Sequence, residues 1–188
     1  FFDLFRQVGF TDDESNLATL QIVGRLVHPG SERELRRYAK EQSALDELLG
    51  CNFSSSVGHN MLYHNSDLLF KHKETIERFL RMRSREIFSL GETIILYDLT
   101  NTYFSGSAAE YKKAKRGRSK QKRSDRPLVT LGLVLDERGF IKCSRIFDGN
   151  VGEPLTLVDM INDIHSQVSR ETPPLLVTKP TIVMDAGI

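Results

Sequence analysis

The chain has 188 residues, 39% of them hydrophobic and 27% charged, with a net charge of +1. That balance belongs to a globular chain with a core to bury and excludes a disordered or fibrous protein. No apolar run approaches the roughly 20 residues of a membrane-spanning helix, and Phe1–Arg6 has no secretory signal pattern, so a cytoplasmic protein with no membrane partner is expected.

Residues 1–91 read as an all-helical N-terminal region. Asp12-Asp13-Glu14-Ser15 offers a cap and first-turn acids to a helix carrying Leu17, Leu20, Ile22, Val23, Leu26 and Val27, which His28-Pro29-Gly30 ends. Ser31 and Glu34 form a capping box for a second helix with Leu35, Tyr38, Ala39, Leu45, Leu48 and Leu49, stopped by Gly50. After the polar Ser54-Ser55-Ser56 and a short Met61-Leu62 segment, Ser66 or Asp67 caps a long helix bearing Leu68, Leu69, His72, Ile76, Phe79, Leu80 and Ile87.

Residues 92–188 change texture. Thr93 to Tyr97 is an almost wholly apolar run ending at Asp98, as in a central strand covered on both faces. Leu128 to Leu135 is a second strand, Asp136-Glu137-Arg138-Gly139 a hairpin turn, and Phe140 to Phe147 an alternating third strand. A helix with Leu155, Leu157, Val158, Ile161, Ile164 and Val168 follows, then a fourth strand, Thr181 to Met184, ending in Asp185. Strand, strand, strand, helix, strand is the order in which an RNase H-like mixed α/β sheet begins. A right-handed crossover would set the fourth strand parallel to and beside the first, bringing Asp98 and Asp185 to neighbouring strand ends.

Two carboxylates so placed supply the hard oxygen ligands of Mg²⁺ or Mn²⁺. A two-metal site with ions about 3.5–4 Å apart would serve in-line phosphoryl displacement. The competing reading is that each Asp is a polar turn residue closing an apolar strand. Between the first two strands, residues 112–126 hold nine basic residues and one Asp, while the rest of the chain holds 17 basic and 24 acidic residues. Lys112, Lys113, Lys115, Arg116, Arg118, Lys120, Lys122, Arg123 and Arg126 are the candidate DNA-binding residues. They suit phosphate contact rather than base reading, with a solvated loop as the alternative.

The segment Tyr97-Asp98-Leu99-Thr100-Asn101-Thr102-Tyr103-Phe104 resembles the first acidic motif of the IS4-type DDE insertion-sequence transposases, nearest the IS1634-like subgroup. The resemblance continues through Gly117-Arg118-Ser119-Lys120, Arg123 to Pro127, Leu131-Gly132-Leu133, Phe147-Asp148-Gly149-Asn150 and Val183 to Ile188, and more loosely through Pro29 to Ser31 and Ser43 to Gly50. It implies a metal-dependent DNA transposase that cleaves and transfers strands at element ends. Asp98 and Asp185 would be the first two catalytic, metal-binding carboxylates, with Mg²⁺ or Mn²⁺ as cofactor. Double-stranded DNA and further copies of the chain would be partners. The family's third acid, a Glu on a later helix, has no counterpart, and Glu153 does not take that role. The resemblance therefore implies a truncated transposase fragment that is inactive alone because it lacks the third carboxylate, with a DNA-binding remnant or regulator as the alternative. The helical region is then either a DNA-end or oligomerisation module or a support for the catalytic domain.

Asp98-Leu99-Thr100 also approaches the phosphate-binding strand ends of actin-like ATPases and haloacid-type hydrolases. The first wants Gly and the second Asp where Thr100 stands. Asn101, Thr102 and Tyr103 either contact substrate or hold a turn after the first strand; Asn150 reads as a turn residue. His28, His59, His64, His72 and His165 lack ligand-like spacing, and Cys51 and Cys143 lack any CxxC pattern, which fits a reducing compartment.

Overall fold

The structure, a computed structural model, describes residues 1–58, 60–88, 94–117, 125–152, 156–163 and 181–184. The chain divides into two compact units, Phe1–Phe79 and Leu80–Ile188.

The first unit is helical. It comprises α1 (Phe2–Gln7), α2 (Asp12–Val27), α3 (Glu32–Glu41), α4 (Leu45–Leu49), α5 (Phe53–Ser56), α6 (Met61–Lys71) and the first part of α7 (Lys73–Phe88). Thr11, rather than the acids after it, caps α2: its hydroxyl accepts from the Glu14 amide, and the Glu14 carboxylate reaches back to the Thr11 amide. Ser31 caps α3, but Glu34 turns its carboxylate to Arg37 at 2.8 Å, so only half of the expected capping box forms. Two expected helices are each split. The second breaks between α3 and α4, and the third breaks at His72, where Ser66 lies inside α6 with its hydroxyl bonded to the Leu62 carbonyl.

Leu17 and Leu20 of α2 pack with Leu35, Ala39, Phe53, Val57 and Leu62. Phe5, Phe10 and Ala18 form a second cluster with Ile22, Leu68, Leu69 and Ile76. Gln21 of α2 is buried and satisfied, donating to the Leu62 carbonyl at 2.9 Å and the Ser66 hydroxyl at 2.6 Å, as a buried amide requires.

The second unit is a four-stranded mixed sheet of β1 (Ile94–Tyr103), β2 (Leu128–Asp136), β3 (Ile141–Asp148) and β4 (Thr181–Met184), in the order β3-β2-β1-β4. β1–β2 and β2–β3 are antiparallel and β1–β4 is parallel, the arrangement expected from the element order. Residues 156–163 are helical. This helix lays Met160 and Leu157 on the sheet face formed by Ile95, Tyr97, Leu99, Val134, Cys143 and Phe147. A side chain on Gly132 would press on the Phe147 ring at 2.9 Å, so a glycine in the middle of β2 lets Phe147 lie across the strand.

The β2–β3 hairpin turns at Gly139, whose φ of +86° disfavours other residues. Asp136 closes it by accepting from the Arg138 and Phe140 amides, each at 2.9 Å. The last turns of α7 belong to this unit, so the division falls within α7 rather than at the expected 91/92. Arg81 donates to the Lys142 carbonyl at 3.0 Å, and Phe88 packs on Phe140 with ring centres 4.8 Å apart. No described helix is long and apolar enough to cross a membrane.

Candidate functional site

Asp98 stands between two core residues, Tyr97 and Leu99. Alternation along the strand sends those two toward the 156–163 helix and leaves Asp98 exposed on the other face, with Thr100 beyond it. On one side Asp98 is opposite Leu133 of β2. On the other side the parallel register runs from Ile94 opposite Thr181 to Tyr97 opposite Met184. Asp98 is therefore the first β1 residue after the last described β1–β4 pair, and Asp185 is the next residue in sequence after Met184. Asp185 itself, like Glu153, lies outside the described residues. Among the described residues no three His, Cys, Asp or Glu side chains gather as a metal cage.

The strand does not end at Asp98 as the apolar run suggested. β1 continues to Tyr103, because β2 is long enough to pair with it as far as Leu128. Asn101, Thr102 and Tyr103 are strand residues rather than a turn, and the Asn101 amide donates to the Thr130 hydroxyl at 3.0 Å. Asn150 lies in the turn after β3, as expected.

The basic segment begins at the sheet end toward which β1 runs after Asp98. Its backbone is pinned there: Lys115 pairs with Leu128 through two hydrogen bonds of 3.0 and 2.8 Å, and the Gly149 amide donates to the Lys113 carbonyl at 3.0 Å. Side chains at Gly117 or Gly149 would overlap backbone, Gly117 against the Gly149 carbonyl and Gly149 against the carbonyls of Leu128 and Lys115. Lys112, Lys113, Lys115 and Arg116 are exposed, with the Lys113 ammonium 3.8 Å from Asp148. Arg126 donates to the Ser105 carbonyl at 2.6 Å, tying the residues just after β1 to those just before β2. Arg118, Lys120, Lys122 and Arg123 lie outside the described residues.

Sequence reasoning missed the anchoring glycines and the ring pair Phe104–Tyr111 at the root of the segment, with centres 5.6 Å apart. The one available signal was aromatic residues flanking a basic run.

His28 stacks on Tyr38 at 4.6 Å, and His72 meets the Phe10 ring edge-on at 5.7 Å; His64 is an exposed α6 residue. His59 and His165 lie outside the described residues. Cys143 is buried in the sheet core. The Cys51 thiol is held above its ordinary pKa, first by burial and then by the Asp46 and Asp13 carboxylates, which disfavours a reactive thiolate. A pocket lined by Arg81, Arg85, Asp136 and Lys142, among others, lies by the β2–β3 hairpin, where Asp136 faces Ile95 at the other end of β1 from the basic segment. No protein-family model, no curated protein and no solved structure matches this chain.

Proposed function

We propose that the second unit carries an RNase H-like phosphoryl-transfer site of a DDE transposase, with Asp98 and Asp185 as paired metal ligands and DNA as substrate. The observation that carries this reading is the parallel register that sets Tyr97 opposite Met184, each the residue immediately before one of the two carboxylates. Neighbouring parallel strands lie about 4.8 Å apart, a spacing across which two carboxylates can share cations.

The donor chemistry fits. Carboxylate oxygens are hard ligands suited to Mg²⁺ or Mn²⁺, and Asp98 is exposed on the sheet face away from the 156–163 helix. When bound, such a metal pair supplies activation of a water or 3′-hydroxyl and stabilisation of the leaving oxygen. The chain's own residues do the rest. Asp98 and Asp185 supply the negative charge that the cations need, and the exposed Lys112, Lys113, Lys115 and Arg116 hold backbone phosphates by charge, without reading bases. Their segment is anchored at the sheet end toward which β1 runs beyond Asp98, which supports DNA lying across that end.

Titration of the chain with Mn²⁺, followed by electron paramagnetic resonance of the free ion, tests the reading. Asp98→Asn and Asp185→Asn are each expected to abolish the tightest binding step while leaving the circular dichroism spectrum unchanged. Retention of that step in either variant rejects the paired site.

A further inference from the structure

The root of the basic segment holds a feature that the paired carboxylates do not use. Tyr111 is 64% exposed, yet its ring is held in place. It stacks on Phe104 with planes only 9° from parallel, and the backbone fixes both partners. The Phe104 amide donates to the Pro127 carbonyl at 2.9 Å, the Tyr111 amide to the Ala108 carbonyl at 3.1 Å, and the Ala114 amide to the Tyr111 carbonyl at 3.0 Å. Ala108 sits at φ +47°, a left-handed conformation that a residue with a side chain keeps only when its surroundings impose it.

Beyond the exposed Glu110, the neighbours are cationic. Lys112, Lys113, Lys115 and Arg116 are all exposed, and Gly149 and Leu128 hold the backbone of Lys113 and Lys115 in place. A solvent-facing aromatic ring held on a stacked partner, beside exposed cations carried on an anchored backbone, is the pairing that binds unpaired nucleotides. Any base stacks on the ring through its π-face, while the cations follow the phosphates. A duplex keeps its base faces inside its own stack and cannot use the ring.

We infer that the Phe104–Tyr111 stack is a platform for an unpaired nucleobase, with Lys112, Lys113 and Lys115 holding the adjoining phosphates of a single-stranded segment. This deepens the reading above by naming the form of the substrate, and it rests on that reading only in taking DNA as the nucleic acid.

Fluorescence anisotropy with a labelled oligothymidylate, and separately with a mixed-sequence duplex, tests it on the full chain in EDTA, where the carboxylate site plays no part. Tyr111→Ala is expected to lose about tenfold in single-strand affinity. Its salt dependence and its duplex affinity stay unchanged, and Tyr111→Phe behaves as wild type. A wild-type chain that does not bind the single strand overturns the inference. So does a Tyr111→Ala variant that binds it unchanged, or that loses single-strand and duplex affinity equally. Should Tyr111→Ala fail to fold, 2-aminopurine in the oligonucleotide decides with wild-type protein: stacking quenches its emission on binding, and unquenched emission refutes the platform. Asp98→Asn, measured alongside, separates the two ideas, since loss of Mn²⁺ binding without loss of single-strand affinity is expected, and the carboxylate reading can fail while the Tyr111 effect stands.

Discussion

The Tyr97 hydroxyl lies 2.7 Å from the Thr156 hydroxyl, joining the strand that carries Asp98 to the helix that covers the opposite sheet face. Both groups are buried, so this bond fixes the β1 backbone from behind while Asp98 points away from it. Tyr97→Phe is expected to destabilise the chain by about 1 kcal/mol. A double-mutant cycle with Thr156→Val, read by urea denaturation, is expected to give a coupling of about 0.5–1.5 kcal/mol. Additive single effects would mean that the bond does not tie helix to strand.

The α2 cap gives the helical unit a pH dependence. The Thr11 amide and then the Thr11 hydroxyl donate to the Glu14 carboxylate and hold its pKa below the ordinary value of 4.5. A depressed carboxylate contributes stability that is fully present above its unfolded pKa and is lost as pH falls through the folded value. Glu14→Gln is therefore expected to be less stable than wild type at neutral pH, with the gap closing as the solution is acidified below pH 4.5. Thr11→Ala removes the reciprocal half of the cap and is expected to cost about 1 kcal/mol. Thermal unfolding followed at several pH values checks both.

Gly149 is the hinge pin of the basic segment. A methyl group there meets the carbonyls of Leu128 and Lys115, which are engaged with each other's amides and cannot move apart without breaking that pair. Gly149→Ala is expected to destabilise the chain by about 1–3 kcal/mol, as overpacking usually does. It should also speed tryptic cleavage after Lys113, Lys115 or Arg116. Unaltered cleavage would show that Gly149 does not anchor the segment.

The proposed role of the segment in DNA binding is tested by its salt dependence. Each neutralised phosphate contributes about 0.9 to the slope of log affinity against log salt concentration. Replacing Lys120, Lys122 and Arg123 together by Ala is thus expected to flatten the slope for duplex DNA by up to about 3. An unchanged slope would mean that these side chains stay in water when DNA binds.

The sheet was legible in the sequence because its cues are local and strong. Apolar runs of strand length, the Asp136 to Gly139 turn and a single helix before Thr181 leave few topologies open, and β4 beside β1 is one of them. The end of β1 was not legible. Beyond Asp98 only one face stays apolar, through Leu99, and pairing with β2 rather than composition carries the strand to Tyr103. The breaks in the helical region were hidden for a related reason. Neither Gly nor Pro marks His72; α6 buries Leu62 against α2, whereas α7 has no buried residue of its own, so packing and not propensity sets where the first stops. Asp98 could be singled out from its place after an apolar run. The anchoring of the basic segment could not, since it is made by backbone groups of Lys113, Lys115, Leu128 and Gly149 whose meeting no side-chain pattern announces.

The central claim is that Asp98 and Asp185 converge on one cation-binding point across the β1–β4 pair. Paramagnetic broadening of backbone amide signals by substoichiometric Mn²⁺ tests it most directly. The account predicts that amides of Tyr97, Asp98 and Leu99 on one strand and of Val183, Met184 and Asp185 on the other disappear together at the lowest Mn²⁺ addition, and that Asp98→Asn restores both sets. Broadening confined to one strand, or centred elsewhere on the chain, would contradict it.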